Sequence, residues 1–228
     1  MLRRSGLARA VRDLGVRQRV QETGRRWPPG AWLWSFLYGT LYQGGGFRSF
    51  VMDGQSVRCD EVEPWEQVGT DASNWKTTPE GAPFVELDGV SEYLRVADSE
   101  RNRPGANNLL VVTAYRPDSI SGDATIIGKW KEATDDRAWR LRRSGTAVQI
   151  STCASGLSGD VVTLESSFVL EAEAWHLIAG YWEAATQLKL WVAKTTDESL
   201  TVDLATAAIP ATIYAAPGAY VTIGAEDV

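Results

Sequence analysis

From Pro83 onward, apolar and polar side chains alternate along the chain with a period of two, and this pattern constrains the fold most. In 139–142, Trp and Leu alternate with Arg, and in 188–192 two Leu and a Val alternate with Lys and Trp. Turn signals separate such runs, among them Pro117-Asp118, Ser144-Gly145 and Ser158-Gly159-Asp160. Short strands with regularly spaced turns predict two antiparallel sheets packed face to face.

Four segments in this region follow one another in a familiar order: FVELDGVSEYLRVAD (84–98), IIGKW with RAWRLR (126–142), AWHLIAGYWEAATQLKLWV (174–192) and AYVTIGA (219–225). Together they resemble laminin-G-like domains, which are concanavalin A-like jelly rolls. The first segment is similar to that family's opening hairpin, and the last to its late Ile-Gly strand. The resemblance implies an all-β, two-sheet antiparallel jelly-roll sandwich over residues 81–228. It implies little about activity, because lectins, adhesins, hydrolases and structural modules share this fold.

One element of the family pattern is missing. Laminin-G-like domains follow the Ile-Gly strand with one more strand, which pairs beside the first strand, whereas this sequence ends at Val228. An empty position there would expose an unpaired strand edge. Ser49–Cys59 has two strand-like runs around Asp53-Gly54, a strong hairpin signal. We expect this hairpin, or a strand from another subunit, to fill the position.

The N-terminus differs sharply in charge from the rest of the chain. Residues 1–26 carry eight arginines against Asp13 and Glu22, in a protein of net charge −6. Leu7, Val11 and Leu14 would share one face of a basic amphipathic helix. Four interpretations are open: an arm that docks on an acidic partner surface, a nucleic-acid contact, an interfacial membrane helix and a cleaved presequence. The docking arm is favoured, and nucleic acid is not expected as a partner.

An aromatic stretch follows the basic segment, from Trp27 to Phe47. Pro28, Pro29 and Gly30 interrupt it, and it is too short to span a bilayer. Large aromatic side chains anchor protein interfaces, so we expect this stretch to be buried against other subunits. The chain then divides into a docking arm (1–46), a hairpin and connector (47–80) and the sandwich (81–228). The predicted assembly interface consists of Arg3, Arg4, Arg9, Arg12, Trp27, Trp32, Trp34, Phe36 and Tyr38.

The sequence gives little support to catalysis. Glucanases that share this sandwich carry a Glu-x-Asp-x-x-Glu strand, and no such triplet occurs here. His176 is the only histidine, so a Ser-His-Asp site or a histidine-based metal cluster has little to draw on. Cys59 and Cys153 are expected to be isolated thiols, although one disulfide stays open, and no cysteine spacing suggests zinc. We therefore expect a protein that is not an enzyme.

Ligand binding remains open. Lectins of this class stack an aromatic ring on the apolar face of a sugar, with polar groups and sometimes calcium around it. Trp130, Trp182 and Trp191 are the best candidates for stacking, although packing in the core is the commoner role of a Trp. Asp135 and Asp136 are candidates for hydroxyl contacts or, if calcium is bound at all, for its ligation. No other cofactor or metal is expected.

Two functions follow from these features. The first is a structural or adhesive component of a large assembly, of the kind that bacteriophage virions use in tail fibres, tail tips and capsid decorations. Its partners would be other subunits, docked through the arm, and a cell-surface glycan. The second is a free-standing carbohydrate-binding module or a relative of glycan-acting enzymes. We expect the virion, assembled in the host cytoplasm, to be the protein's location.

Overall fold

The computed structural model describes residues 32–34, 50–52, 55–57, 66–69, 75–77, 83–88, 91–197 and 199–225. These residues form sixteen strands: β1 (Trp32–Trp34), β2 (Phe50–Met52), β3 (Gln55–Val57), β4 (Glu66–Val68), β5 (Trp75–Thr77), β6 (Pro83–Val85), β7 (Tyr93–Val96), β8 (Leu109–Tyr115), β9 (Asp123–Lys131), β10 (Asp136–Ser144), β11 (Ala147–Cys153), β12 (Val161–Glu165), β13 (His176–Glu183), β14 (Gln187–Lys194), β15 (Thr201–Ala205) and β16 (Val221–Ile223). Two short 3₁₀ helices, Glu100–Asn102 and Ser158–Asp160, lie between strands.

Two large sheets contain most of these strands. The seven-stranded sheet has the order β12-β11-β10-β9-β16-β7-β4, and the five-stranded sheet has the order β1-β8-β13-β14-β15. Apart from the parallel pair β1–β8, neighbouring strands in both sheets are antiparallel. This arrangement confirms the predicted all-β sandwich.

The core lies between the two sheets. In the seven-stranded sheet, one inward row runs through Ile223, Ile127, Leu141, Ile150 and Leu164, which are partners across successive strands. Leu141 and Ile150 approach Gly180 of the opposite sheet, where a Cβ atom would lie 2.9 Å and 2.8 Å from their side chains. A glycine at this position therefore lets the two sheets approach closely.

Three of the four quoted segments form the strands expected of them. β9 pairs with β10, and β13 pairs with β14 through a tight turn in which Ala185 has a φ of 51°. β16 forms at the Ile-Gly segment and pairs with both β7 and β9. Gly224 follows it with a φ of 92°, a conformation that favours glycine.

The first segment forms its turn but not the expected hairpin. The Asp88 carboxylate accepts hydrogen bonds from the backbone N–H groups of Ser91 and Glu92, both at 2.9 Å, as Asp does in many turns. However, β6 pairs with β5, whereas β7 lies between β16 and β4. Both edges of β7 are thus occupied, and the prediction that the two strands pair with each other is wrong.

The hairpin that the sequence predicts within Ser49–Cys59 forms, with β2 paired to β3. It makes a separate two-stranded sheet, so the hypothesis that it completes a large sheet is wrong. β4 instead pairs with β7, and β1 lies beside β8, with Leu33 opposite Leu110. β1 and β4 thus join the large sheets from residues that the sequence assigns to the arm and the connector.

Candidate binding surface on the five-stranded sheet

The five residues that the sequence predicts for a ligand site do not form one site. Trp182 lies in β13, where its strand partners are Leu109 and Leu188. Its side chain is fully buried in the core between the sheets. No sugar can reach this ring, so the stacking role expected of Trp182 is wrong and core packing is its role.

Trp130 lies in β9 and is 1% exposed. The Arg140 guanidinium covers its ring, with Cζ 4.2 Å from the ring centroid. The indole N–H donates to Glu132 Oε1 at 3.2 Å, and Arg140 Nη1 donates to the same oxygen at 3.3 Å. The indole N–H and then Arg140 lower the pKa of Glu132. An arginine therefore occupies the position that a stacked sugar would take, which corrects the expectation for Trp130.

Asp135 and Asp136 lie at the turn between β9 and β10. Asp135 has a φ of 57° and pairs with Arg137, whose Nη1 also donates to the Gly156 carbonyl at 3.2 Å. Asp136 accepts a hydrogen bond from the Thr134 hydroxyl at 2.8 Å. Both carboxylates thus make local contacts that stabilise the turn. Within the described residues, no group of three or more His, Cys, Asp or Glu side chains is placed to hold a metal ion.

Trp191 alone of the three candidate tryptophans is partly exposed, and it lies on the outer face of the five-stranded sheet. Along β14, Leu188, Leu190 and Val192 point into the core, so Trp191 points outward. The ring of Tyr181 in β13 lies beside it, with the two centroids 6.4 Å apart and the planes tilted by 53°. The two rings form an aromatic pair that solvent reaches.

Apolar side chains continue from this pair across four strands. Trp191 is the strand partner of both Ala179 and Val202, and Ala179 is the partner of Val112. Leu204 lies opposite Lys189 in the next row. We call this surface the outer patch, and it consists of Leu110, Val112, Leu177, Ala179, Tyr181, Trp191, Val202 and Leu204. Val202 and Leu204 are 53% and 54% exposed.

Sequence reasoning missed Val202 and Leu204. The signal was available in TVDLA (201–205), where Val and Leu alternate with Thr and Asp. Alternation does not tell which side faces the core, and here the polar side faces inward. Asp203 accepts a hydrogen bond from the backbone N–H of Ser167 at 3.1 Å, which holds its carboxylate away from the outer face.

Polar groups border the outer patch. Asn108 Nδ2 donates to the Tyr181 hydroxyl at 3.1 Å, which fixes the edge of the aromatic pair. Lys189 lies in the same row as Tyr181 and Leu204 and adds a positive charge. An apolar surface that also carries a hydroxyl, an amide and an ammonium suits the apolar face of a sugar or the side chains of another protein.

The perturbed ionisable groups lie elsewhere and are engaged in ion pairs. Four carboxyl groups have a shifted pKa among the described residues, and in each it is lowered: Glu66, Asp98, Glu132 and Glu171. Hydrogen bonds from Arg95 and Lys194 lower the pKa of Glu66 and Glu171. His176 is fully buried, and burial lowers its pKa. The lowered pKa values keep these four carboxyl groups in their charged form at neutral pH.

The predicted assembly interface is only partly within the described chain. Trp32 and Trp34 belong to β1, which runs parallel to β8 at the edge of the five-stranded sheet. The other predicted interface residues lie outside the described residues: Arg3, Arg4, Arg9, Arg12, Trp27, Phe36 and Tyr38. In the part of the chain that the structure describes, no helix is long and apolar enough to cross a membrane.

No protein-family model matches the chain, and no curated protein matches its sequence. Among solved structures, it is similar to the binding domain of botulinum neurotoxin DC in complex with rat synaptotagmin II (TM-score 0.47, 10% identity, 77% of this chain and 42% of the other). It is also similar to tailspike protein 2 of an Escherichia coli O157:H7 bacteriophage (0.44, 12%, 67% and 22%). A third similar structure is of botulinum neurotoxin type C, a toxin whose cell entry depends on interaction with two ganglioside molecules (TM-score 0.46, 9% identity, 77% of this chain and 41% of the other). The chain spans less than half the length of each of these structures, and we infer no function from similarity at these TM-scores.

Proposed function

We propose that this protein is a non-enzymatic adhesive component of a larger assembly, of the type found in bacteriophage virions. The outer patch carries the proposal. Five of its members reach solvent from four neighbouring strands. Leu110, Tyr181 and Trp191 are partly exposed, and Val202 and Leu204 are more than half exposed, whereas Val112, Leu177 and Ala179 are buried. Neighbouring apolar side chains that solvent reaches often mark binding sites on protein surfaces.

The ionisable groups support binding rather than catalysis. The carboxyl groups with shifted pKa values are paired with arginine or lysine, so each is held in its charged form at neutral pH. The buried imidazole of His176 accepts a hydrogen bond from the backbone N–H of Glu171 at 3.3 Å. The residues that make these contacts are not members of the outer patch.

The basic and aromatic N-terminal segment would dock the protein on its assembly. Its arginines suit an acidic partner surface, and its tryptophans suit a buried interface. β1 ties part of this segment to the edge of the same sheet that carries the outer patch. Docking at the N-terminus would thereby leave the outer patch displayed on the sandwich.

A second candidate function is carbohydrate binding, and the Tyr181–Trp191 pair favours it. Two adjacent rings with an amide and an ammonium beside them provide both stacking and hydrogen bonding for a sugar. A glycan-binding outer patch would also fit an adhesin, so the two functions are compatible.

Binding of the full chain to a glycan array and to bacterial cells tests this proposal. Trp191→Ala and Tyr181→Ala should each weaken binding about tenfold or more, as expected for aromatic anchors. Val169→Ala is the matched control, since Val169 is exposed but lies outside the outer patch. Binding that is equal for wild type and both aromatic variants would exclude the outer patch as the adhesive surface.

The docking role has a separate test. We expect light scattering to detect oligomers of the full chain and to show that a variant lacking residues 1–31 is monomeric. The deletion ends at residue 31 so that the variant keeps β1 and its pairing with β8. If both are monomers at the same concentration, the N-terminal segment is not an assembly device. That outcome would leave the outer patch and its ligand to be judged by the array alone.

A further inference from the structure

A lysine lies in the core of the sandwich. In β9, Lys129 points inward in the row that contains Val221 and Trp139, its partners on the two neighbouring strands. Its side chain is 0% exposed. A buried ammonium is costly unless other groups compensate its charge, so the groups around Nζ determine its chemistry.

Two side chains from the connection between β7 and β8 meet this ammonium. Lys129 Nζ forms an ion pair with Asp98, which also pairs with Arg103. Lys129 Nζ donates a second hydrogen bond to Asn102 Oδ1 at 3.0 Å. The Lys129 ammonium thus lies within hydrogen-bond distance of both a carboxylate and a carboxamide.

The Asn102 amide is held in one orientation. Its Nδ2 donates to the Ala97 carbonyl at 2.8 Å, and its Oδ1 also accepts from the backbone N–H of Ser99 at 3.2 Å. The carbonyl end therefore faces Lys129, and the N–H of Ser99 polarises it. A fixed donor on a carbonyl oxygen stabilises the negative charge that develops there when a nucleophile attacks the carbon.

We propose that Lys129 and Asn102 join in an isopeptide bond, formed by the folded chain itself with Asp98 as the proton carrier. The nucleophile, its target and the base are already assembled at hydrogen-bond distances, and a reaction between groups held in this way is far faster than between free molecules. The link would be a covalent modification inside the core, separate from the outer patch and independent of its function.

The chemical balance needs no further reactant. Asp98 takes a proton from the Lys129 ammonium, and the free amine attacks Cγ of Asn102, forming the new C–N bond. Asp98 then protonates the Asn102 amide nitrogen, and the old C–N bond breaks. The second proton lost by Nζ leaves with this nitrogen, so the products are the amide, the regenerated carboxylate and one ammonium ion.

The surroundings favour loss of a proton from Lys129 and, once Asp98 has taken that proton, its release to the leaving nitrogen. Burial lowers the pKa of Lys129, although its pairing with Asp98 opposes this, so the free amine is more accessible than on an exposed lysine. Burial alone would raise the pKa of Asp98, but hydrogen bonds from Arg103 and Lys129 outweigh it and lower the value. Asp98 therefore passes the proton on rather than keeping it.

Mass spectrometry of the purified full chain tests the proposal. The intact chain should be lighter than its sequence by one ammonia, about 17 Da, because the new bond replaces an amide nitrogen. Cleavage before aspartates separates residues 98–117 from 123–134. These two peptides should appear as one linked species. A succinimide at an asparagine also loses ammonia, but it leaves the two peptides separate.

Three variants assign the roles. Asp98→Asn and Lys129→Met should abolish the linked species, whereas Lys131→Met, the control on the same strand, should keep it. If Asp98→Asn or Lys129→Met fails to fold, the masses of the two wild-type peptides still test whether the bond forms. Both peptides at their unmodified masses, after the folded wild type has been incubated at neutral pH, would overturn the proposal.

Discussion

Gly128 lies directly opposite Arg140 across the β9–β10 pair, so close that a Cβ atom on Gly128 would stand 2.6 Å from the Cβ of Arg140. The same atom would stand 3.0 Å from the Arg140 Cα and from the Trp139 carbonyl oxygen. This close approach accompanies the placement of Arg140 over the ring of Trp130. The backbone of β10 cannot move away without breaking its pairing with β11.

Gly128→Ala should therefore lower the free energy of unfolding by about 1–3 kcal/mol, the usual cost of overpacking. Urea denaturation of both proteins measures the difference. Gly159→Ala is the matched control, because a Cβ there meets no atom within 4 Å, and its effect should stay within about 0.5 kcal/mol. Equal stability of Gly128→Ala and wild type would mean that the two strands lie farther apart than described.

Acidification should destabilise the protein through His176. Its folded pKa lies below the ordinary value of 6.5, so between the two values the unfolded chain binds a proton that the folded chain does not. Stability is complete above about 6.5 and falls as the pH drops through the folded pKa, by at most about 1.4 kcal/mol per pH unit. Protonation would also remove the acceptor for the N–H of Glu171, and Lys194 lies near enough to oppose the new charge.

His176 is the only histidine, so no other side chain normally titrates in this range. Unfolding free energies at about pH 7.5 and about pH 5.5 should differ for the wild type and agree for His176→Gln. The four paired carboxylates act at lower pH, since their stabilising effect is lost only when they are protonated. A wild type whose stability is flat between these two values would contradict the burial of His176.

The exposed residues of β15 should promote self-association. β15 is an edge strand of the five-stranded sheet, and Val202 and Leu204 make it apolar on its outer side. Edge strands of this kind pair with other chains, and lysine on an edge prevents it. The double variant Val202→Lys, Leu204→Lys should self-associate less than the wild type by light scattering, because it loses association through the edge strand and keeps only that through the N-terminal segment. Val169→Lys, which changes an exposed valine outside the sheets, should behave as wild type.

Cys153 should be unreactive in the folded protein. It is a free thiol, fully buried, and its Sγ donates to the Leu157 carbonyl at 3.2 Å. Alkylation of the native chain followed by peptide mass spectrometry should leave Cys153 unmodified, and the same treatment in denaturant should label it. Rapid labelling under native conditions would indicate that the loop 154–157 opens far more often than its contacts suggest.

Local pattern was sufficient to predict most strands of the sandwich but not which face of each strand is buried. In β14, Lys189 marks the outer face, so the inward positions of Leu188, Leu190 and Val192 follow from the sequence. In β13 both faces are apolar, and nothing local indicates that Trp182 points inward while Tyr181 points outward. The contact between Lys129 and Asn102 joins residues 27 positions apart, and no short motif announces it.

The position of β16 has a consequence for the order of events during synthesis. This strand comes last in the described chain, yet it lies inside the seven-stranded sheet, between β7 and β9. Until the ribosome has made residues 221–223, nothing joins the strands β7 and β4 to the strands β9 to β12 of that sheet. One edge of β7 and one edge of β9 then stay unpaired until β16 emerges, and such edges attract other nascent chains. The protein can close its larger sheet only after residues 221–223 have been translated, and its yield in a host cell should depend on how well those edges are shielded until then.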